Sequence, residues 1–471
     1  MKLVQEELLR KQSEHLMIKS VLTTLSLLVC LANCGQADAV DTDHHVVLIS
    51  LDGYPAWMWR DPALPAPNLR KLANEGASAT AMTVSNPSIT WINHTTLITG
   101  VTPRKHGVLF NGLLVRQGTD QPPKVEPWVD KSKLVFAPTL YDLAHEAGLT
   151  TAEVDWVAVT RPKTIHWSFP ELPTADGPIE KEMIAAGLIT AEQCGWFHNG
   201  PNRKNIAWHD EMWTKAGCHI VAQHRPNLLM FHLLNTDAIH HQFGPASQPS
   251  FTALAYADRL VGDLVKAVED AGLREKTTFV ITTDHGFKKV NKLVYPNVVL
   301  RKAGYAEVSG SKITKCDVAA MTQGGMSFVY VTNPDRKSEL IAKLGQLFEE
   351  TEGIERVLLG SDGPTLGMPT PEENQGMGDL ILFAKAGYAF NNGAGGDAAV
   401  APAVNYAGTH GYPADDPELD GIFIASGRGI AKGIVLPRIA NLDVAPTIAR
   451  LLDLKIPNVE GRVLKEILQT K

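Results

Sequence analysis

The stretch from His45 to Gly53 reads H-V-V-L-I-S-L-D-G, an almost unbroken apolar run that ends in Asp52 and Gly53. A run of this kind predicts a parallel β-strand that is buried on both faces. Three later runs have the same character: Asn227 to Leu234, Thr277 to Thr283 and Gly421 to Ser426. Because polar residues follow the first two of these runs as well, we expect them at the carboxyl ends of neighbouring strands.

Helical patterns separate the predicted strands. The clearest are Ala66 to Glu75, Pro138 to Ala147, Ser250 to Ala271, Ser338 to Thr351 and Val444 to Leu452. Strands that alternate with helices predict an α/β fold, here a doubly wound, mostly parallel central sheet with helices on both faces. In such sheets the functional residues gather beyond the carboxyl ends of the strands.

Two stretches interrupt this alternation. The first covers about residues 112–218 and is rich in Pro, Trp and Gly, and the second covers about residues 290–404. We interpret both as insertions over the carboxyl edge of the sheet, the first of them forming a cap. The second contains short strands of its own, around Met326 to Val331 and Asp379 to Ala384. Residues 40–471 are therefore expected to form one domain that carries two insertions.

The composition excludes one class of partner. A formal net charge of −7 over 471 residues, with 20% charged and 44% hydrophobic residues, describes an ordinary folded protein without a basic surface. Long nucleic acids are bound largely through phosphate contacts from Lys and Arg. We therefore expect no long nucleic acid among the partners of this protein.

The N-terminus has the pattern of an export signal. Lys19 precedes the apolar run Val21 to Ala32, which is too short to span a bilayer. Ala37-Asp38-Ala39 then offers a cleavage site between small residues, so residues 1–39 are predicted to be a signal peptide. The mature chain would lack a transmembrane segment and lie in the periplasm or outside the cell. Leu31-Ala32-Asn33-Cys34 offers a second interpretation, attachment to lipid.

Three cysteines remain after this cleavage: Cys194, Cys218 and Cys316. Cys194 and Cys218 lie in one irregular stretch, and an exported protein occupies an oxidising compartment. We therefore expect a disulfide bridge between these two residues and a free thiol at Cys316.

Acidic and imidazole side chains follow the predicted strands. Asp237 and His241 are four residues apart, which places both on one face of a helical turn where they can share a cation. Asp284 and His285 follow another strand directly. The full candidate set is Asp52, Asp237, His241, Asp284, His285 and His410. Ligands of this kind, without thiolates, favour a catalytic site for zinc or a similar divalent ion.

Five motifs in a fixed order resemble one family. They read L-I-S-L-D-G-Y, N-P-S-I-T-W-I-N-H-T-T-L-I-T-G with T-P-R-K-H-G, T-D-A-I-H-H-Q-F-G-P, T-T-D-H-G and G-T-H-G-Y. Together they are similar to the type I phosphodiesterase and nucleotide pyrophosphatase family of the alkaline phosphatase superfamily. With the segment N-L-D-V-A-P-T-I-A-R-L-L near the C-terminus, the resemblance covers about residues 45 to 465.

The resemblance implies two zinc ions, with other divalent ions such as Mn²⁺ as alternatives. It assigns three ligands to each ion: Asp237, His241 and His410 to one, and Asp52, Asp284 and His285 to the other. Thr90 would bridge to the second ion and act as the nucleophile, because coordination lowers the pKa of its hydroxyl. Two such ions can clamp the attacking and leaving oxygens of an in-line displacement, with a phosphothreonine as intermediate.

The resemblance also implies a substrate site. Asn111 matches the family's asparagine that donates to a phosphate oxygen. Trp91 matches an aromatic position that stacks against the leaving group, and Trp156 lies in a loop on the substrate side. The expected reaction is hydrolysis of phosphodiester or pyrophosphate bonds in nucleotides or small organophosphates.

Other functions stay open from the sequence. Trp156 is followed by V-A-V-T-R-P-K in place of the family's Pro-Gly, and Arg161 and Lys163 in this loop would favour a dianionic monoester. A phosphomonoesterase and a phosphonoacetate-type hydrolase are therefore alternatives that use the same metal site. An alternative of another class is an exported binding module without catalysis. The sequence does not indicate an oligomeric state.

Overall fold

The computed structural model describes residues 2–11 and 40–469. Helix α1 (2–11) belongs to one unit, Met1–Asp41, and Thr42–Lys471 form a second compact unit. The predicted signal-peptide core, the cleavage site at Ala37-Asp38-Ala39 and the lipid-attachment motif at Cys34 lie outside the described residues. Among the residues that are described, no helix is both long and apolar enough to cross a membrane.

Strands and helices follow one another along the second unit. The strands are β1 (His45–Leu51), β2 (Ala77–Ala79), β3 (Met82–Thr83), β4 (Leu113–Val115), β5 (Lys124–Glu126), β6 (Thr151–Val154), β7 (Trp167–Phe169), β8 (Leu228–Leu233), β9 (Thr277–Thr282), β10 (Lys288–Val294), β11 (Ala306–Ser309), β12 (Lys312–Cys316), β13 (Val318–Gln323), β14 (Met326–Val331), β15 (Ile354–Leu359), β16 (Leu380–Ala384), β17 (Gly387–Phe390), β18 (Val400–Pro402), β19 (Gly408–Thr409), β20 (Phe423–Gly427), β21 (Ile434–Leu436) and β22 (Ile439–Ala440). The α-helices are α2 (Ala56–Trp59), α3 (Pro67–Glu75), α4 (Thr90–Thr99), α5 (Pro103–His106), α6 (Lys131–Leu134), α7 (Leu140–Glu146), α8 (Pro178–Ala185), α9 (Ala191–Asn199), α10 (Ile206–His224), α11 (Asn235–Phe243), α12 (Gln248–Asp270), α13 (Pro296–Lys302), α14 (Lys337–Glu349) and α15 (Val444–Leu451).

An eight-stranded sheet forms the centre, in the order β21-β2-β20-β9-β1-β8-β6-β7. Strand β1 runs parallel to both β8 and β9, and β6 runs parallel to β8 and β7. Apolar residues of the sheet pack against helices α3, α10 and α12 on one face. Helices cover both faces, so the predicted doubly wound, mostly parallel α/β fold is confirmed.

Strand β20 differs from the prediction in its direction. We expected the run from Gly421 to Ser426 to be one more parallel strand, but β20 is antiparallel to β9, with Phe423 opposite Thr282. The chain reaches β20 from the carboxyl edge of β9, and no α-helix lies between β19 and β20 to return it to the amino edge. Without such a crossover a neighbouring strand runs antiparallel.

The two predicted insertions differ in structure. Within residues 112–218, strands β6 and β7 belong to the central sheet rather than to a cap, and α10 packs into the main core. Within residues 290–404, strands β13, β14, β16 and β15 form a separate antiparallel sheet. The strands predicted around Met326 to Val331 and Asp379 to Ala384 are confirmed as β14 and β16.

The expected disulfide bridge is wrong, because all three cysteines of the described residues are free. Cys194 on α9 is buried in the main core. Cys218 on α10 faces the carbonyl oxygen of Asp263 on α12, at 3.7 Å from its Sγ atom. Cys218 packs at the border of the same core, where its thiol faces α12 rather than Cys194.

Candidate active site

The parallel register brings the ends of β1 and β9 together. Ser50 lies opposite Thr282, and two residues further along each chain are Asp52 and Asp284. Both carboxylates are fully buried. Asp52 is followed by Gly53, whose φ of 64° turns the chain sharply at a point where a Cβ atom would lie 2.8 Å from the ring of Phe287. Only glycine fits such a turn without strain.

Asp284 holds the end of β9 in place with one of its oxygens. Its Oδ1 accepts hydrogen bonds from the backbone N–H groups of Gly53, at 3.1 Å, and His285, at 3.0 Å. The other oxygen, Oδ2, lies 3.1 Å from Nε2 of His285. The same Nε2 lies 3.4 Å from Oδ1 of Asp52. These three side chains therefore converge on one point.

Helix α11 supplies the next two residues. Nε2 of His241 lies 3.4 Å from Oδ1 of Asp237, as the four-residue spacing predicts. His240 points elsewhere, with its Nδ1 at 2.9 Å from the carbonyl oxygen of Gly53. The helical turn thus separates the two adjacent imidazoles.

His410 completes the cluster from the loop after β19. Its ring stacks on that of His285 at 3.7 Å, and its Nε2 lies 3.7 Å from Oδ1 of Asp237. The structure therefore brings all six predicted ligands together. Atoms of Asp237, His285 and His410 form a second convergent group. Since His285 takes part in both groups, the division of ligands between two ions stays a prediction.

The three imidazoles share one orientation. Each places Nδ1 near a backbone carbonyl oxygen: His241 near Gly408 at 3.0 Å, His285 near Gly286 at 3.2 Å and His410 near Ser88 at 2.9 Å. A carbonyl can only accept, so Nδ1 carries a proton and Nε2 faces the carboxylates. This arrangement is typical of histidines that bind metals.

The carboxylates carry atoms that need a partner. Oδ1 of Asp52, Oδ1 of Asp237 and Oδ2 of Asp284 are buried and accept no hydrogen bond. Burial, with repulsion from Asp284 and Asp237, raises the pKa of Asp52 well above its ordinary value. Burial also raises the pKa of Asp237. Cations would offset this repulsion and satisfy the open oxygens, so the residues present fit two divalent metal ions.

Thr90 is the first residue of α4 and faces this cluster. Its hydroxyl oxygen lies 3.4 Å from Nε2 of His285. The backbone N–H of Trp91 donates to Oδ1 of Asn111 at 3.1 Å, which fixes that amide beside Thr90. A helix N-terminus also favours negative charge, because its first N–H groups lack partners within the helix. The hydroxyl, the amide and the helix end therefore adjoin the carboxylate cluster.

The two predicted aromatic positions are both buried. Trp91 is 6% exposed and contacts Trp128 edge to face, with 6.2 Å between ring centroids. Trp128 itself is 49% exposed. Trp156 is 3% exposed and packs edge to face against His94, whose Nδ1 lies 2.8 Å from the carbonyl oxygen of Thr90. Of these tryptophans only Trp128 offers a large open face.

Sequence reasoning missed one member of this network, His232. Its Nε2 lies 3.2 Å from Oδ2 of Asp52, and its Nδ1 lies 3.1 Å from the carboxylate of Asp155. Burial lowers the pKa of His232, but the negative charges of Asp155 and Asp52, together with their hydrogen bonds, outweigh burial and raise this pKa well above its ordinary value. A histidine within the apolar run L-L-M-F-H-L-L and an aspartate directly after β6 were the available signals.

Comparisons with known proteins agree with the motifs. The family model for "Type I phosphodiesterase / nucleotide pyrophosphatase" matches residues 46–413. The chain is 23% identical to member 7 of the mouse ectonucleotide pyrophosphatase/phosphodiesterase family, over 90% of this chain and 87% of that protein. It is 24% identical to a venom phosphodiesterase of Macrovipera lebetinus, over 53% of this chain and only 26% of that protein.

Solved structures show the same fold. Human ectonucleotide pyrophosphatase/phosphodiesterase 5 superposes with a TM-score of 0.68 at 17% identity, over 90% of this chain and 100% of that one. An inactive variant of the murine protein, solved in complex with AMP, gives a TM-score of 0.67 at 16% identity. Because the family model matches residues 46–413, most of the sequence, the chain belongs to the type I phosphodiesterase/nucleotide pyrophosphatase family.

Proposed function

We propose that this protein hydrolyses phosphodiester or pyrophosphate bonds in nucleotides or small organophosphates, with Thr90 as the nucleophile. The observation that carries the proposal is the position of the Thr90 hydroxyl, 3.4 Å from His285 in a cluster of carboxylates with unpartnered oxygens. The family match supports phosphodiester hydrolysis, and the AMP complex of a structural neighbour supports a nucleotide substrate.

The proposed metal ligands are Asp52, Thr90, Asp237, His241, Asp284, His285 and His410. When bound, two zinc ions, or other divalent ions such as Mn²⁺, would lower the pKa of the Thr90 hydroxyl and offset charge on the attacking and leaving oxygens. The buried carboxylates and the anchored imidazoles hold this geometry before substrate arrives. Such preorganisation lowers the cost of ordering the site during the reaction.

The reaction would proceed in two displacements. The Thr90 oxygen attacks phosphorus, the bond from phosphorus to the leaving oxygen breaks, and a phosphothreonine forms. Water then attacks the same phosphorus, the bond to Thr90 breaks, and a phosphomonoester leaves as the hydroxyl is restored. Asn111 would donate its amide N–H to a non-bridging oxygen, because its Oδ1 already accepts from Trp91.

An aromatic surface beside Thr90 would receive the leaving group. We place the contact at the edge of Trp91 and the open face of Trp128, since stacking on an aromatic face suits any nucleobase. Buried Trp156 would act through His94, which contacts the carbonyl of Thr90. Arg161, which would favour a monoester, is ion-paired with Asp130 at the surface. No observation therefore favours the monoesterase alternative over the diesterase.

We propose that the enzyme acts outside the cytoplasm, in the periplasm or the extracellular space. The signal-like N-terminal pattern supports this location. So do the relatives, which are named as ectoenzymes and as venom enzymes. Lipid attachment at Cys34 is the alternative to release, and metabolic labelling with a radioactive fatty acid would distinguish the two.

The Thr90→Ala variant tests the reaction. Turnover of bis-p-nitrophenyl phosphate should fall by at least about 10³-fold, because the nucleophile is removed. Zinc content should stay close to that of the parent, since the other ligands remain. Thr95→Ser on the same helix is the matched control, because it keeps the hydroxyl that donates to the carbonyl of Trp91.

Three outcomes would contradict the proposal. A larger rate with p-nitrophenyl phosphate than with the diester would identify a monoesterase. Unchanged turnover in Thr90→Ala would exclude Thr90 as the nucleophile, and absence of any metal-dependent turnover in the parent would favour a binding module.

A further inference from the structure

A second cluster of metal-binding residue types lies on helices α8 and α10. Nε2 of His219 and Nε2 of His224 lie 3.0 Å and 2.7 Å from the same oxygen, Oε2 of Glu182. Ligand atoms of these three residues all lie within 4.8 Å of one another. We call Glu182, His219 and His224 the surface triad, and none of them takes part in the candidate active site.

The distances of both imidazoles from Glu182 are close to those between neighbouring ligands of a tetrahedral zinc ion. With Zn–N and Zn–O bonds of about 2.0 to 2.2 Å, neighbouring ligand atoms lie about 3.4 Å apart. The observed separations from Glu182 are shorter by less than an ångström, and its side chain is 40% exposed, which allows it to move. An ion can therefore enter by a small displacement of one flexible carboxylate.

Both imidazoles are held in orientations that suit a shared ion. The ring of His224 stacks on Trp167, with 4.7 Å between centroids and 24° between planes. The rings of His219 and His224 are nearly perpendicular, at 77°, so they approach the carboxylate from different sides. The side chain of His219 is only 8% exposed, which restricts its other rotamers. Fixed ligands of this kind lose little entropy when they bind an ion.

The triad also leaves room for a fourth ligand. All three residues line an open cavity of about 1090 Å³ between α8, α10 and α12. Two imidazoles and one carboxylate with an open position are a zinc-binding set. Cys218 lines the same cavity, but its thiol faces the carbonyl of Asp263.

We infer that Glu182, His219 and His224 bind a further divalent transition-metal ion, with zinc as the best fit, separate from the active site. The ion joins α8 to the last residue of α10. From there three residues lead to β8, which runs toward the candidate active site. The role of the ion is to fix α8 and α10 relative to each other, with a water molecule as its fourth ligand.

Metal content of the full-length protein tests this inference. The parent is saturated with Zn²⁺ alone, passed through a weak chelating resin, and analysed by inductively coupled plasma mass spectrometry. The Glu182→Gln/His224→Gln double variant should hold one zinc ion fewer per chain and keep the parent's hydrolytic rate. His198→Gln is the matched control, because His198 is a half-buried histidine on the adjacent helix α9, outside the surface triad, with its Nε2 at 2.9 Å from the carbonyl oxygen of Pro173.

The active-site variant Asp284→Asn distinguishes this inference from the proposed function. It should lose zinc from the active site while the triad keeps its ion. Equal zinc content in the parent and the double variant would overturn the inference and leave the proposed function intact. If the double variant does not fold, anomalous diffraction at the zinc edge on zinc-soaked parent crystals decides, and no peak between Nε2 of His219 and Nε2 of His224 would overturn it.

Discussion

The buried centre and the surface triad use the same side chains but hold them differently. In the centre, every candidate imidazole has its Nδ1 beside a backbone carbonyl, and two of the three carboxylates, Asp52 and Asp284, follow the ends of parallel strands. In the triad, the residues lie on helices, and Glu182 is 40% exposed. The ligand types are therefore not what distinguishes a reactive centre from a scaffold site.

Two properties set the centre apart. The first is a group that can react, the Thr90 hydroxyl at a helix N-terminus. The second is burial, which raises the cost of unpaired charge and so strengthens the demand for cations. We therefore expect the removal of one ligand to lower metal affinity more in the centre than in the triad. The following variants measure that difference.

The largest effect is expected for His285→Ala. His285 is the one residue that belongs to both convergent groups, so its loss should weaken the binding of both proposed ions. Turnover of the diester should fall by at least about 10³-fold, because uncompensated buried carboxylates would remain. Zinc analysis and steady-state kinetics on the same samples measure the two effects.

His145→Ala is the control for this variant, because it removes an exposed histidine on α7, outside the centre. If His285→Ala kept all of its zinc, the position of His285 in both groups would contribute nothing to metal binding. A loss of zinc no larger than that caused by the surface double variant would likewise remove the contrast between the two regions.

A smaller effect is expected for His232→Leu. His232 contacts Asp52 with Nε2 and Asp155 with Nδ1, so it would orient a proposed metal ligand without itself being one. Loss of such a partner typically weakens metal affinity about 10- to 100-fold. Competition with a fluorescent zinc chelator measures this change.

His232→Gln sharpens the result, because its amide can still donate to Asp52. Its zinc affinity should lie between those of the parent and the leucine variant, and added Zn²⁺ should restore the turnover of both variants. If the leucine and glutamine variants bound zinc equally well, His232 would only fill space.

His232 also marks the limit of what the sequence could predict. Apolar runs predicted four strands of the central sheet, β20 among them with the wrong direction, and helical patterns predicted five helices to within two residues. Polar strand ends, the four-residue spacing on α11 and the family motifs together predicted the six residues that the structure brings together. His232 contacts residues that are 77 and 180 positions away, and only the strand order makes those contacts possible. Strands β6 and β7 were missed because they are short and lie in a stretch rich in Pro, Trp and Gly.

The disulfide prediction failed for a related reason. Proximity in sequence and an oxidising compartment favoured a bridge between Cys194 and Cys218, but helix packing directs one thiol into the core and the other toward α12. The side on which a helical residue lies depends on the neighbouring elements. The surface triad was missed in the same way, since α8 and α10 meet only in the fold.

The smallest effect is expected for Glu153→Gln, which separates the consequence of burial from that of metal binding. Glu153 on β6 is as buried as Asp52, but its contacts are Ser168 and the backbone N–H of Trp156, not an imidazole. Burial raises the pKa of Glu153 to about 7. The folded protein thus keeps a proton that the unfolded chain releases above about pH 4.3. The parent should lose stability as pH rises from about 4.3 to about 7, by at most about 3 kcal/mol, and the neutral amide should remove this loss.

Urea unfolding of zinc-loaded protein at pH 5 and pH 8 measures the difference in free energy of unfolding. Because other groups also titrate between these values, the comparison is between the pH-dependent changes of the parent and of Glu153→Gln. Glu146→Gln is the control, because Glu146 is an exposed glutamate on α7. Its free energy of unfolding should change between pH 5 and pH 8 by the same amount as that of the parent. If Glu153→Gln lost as much stability as the parent between pH 5 and pH 8, a carboxylate could be buried in this sheet at little cost. The unpartnered oxygens of the centre would then be a weaker reason to place cations there.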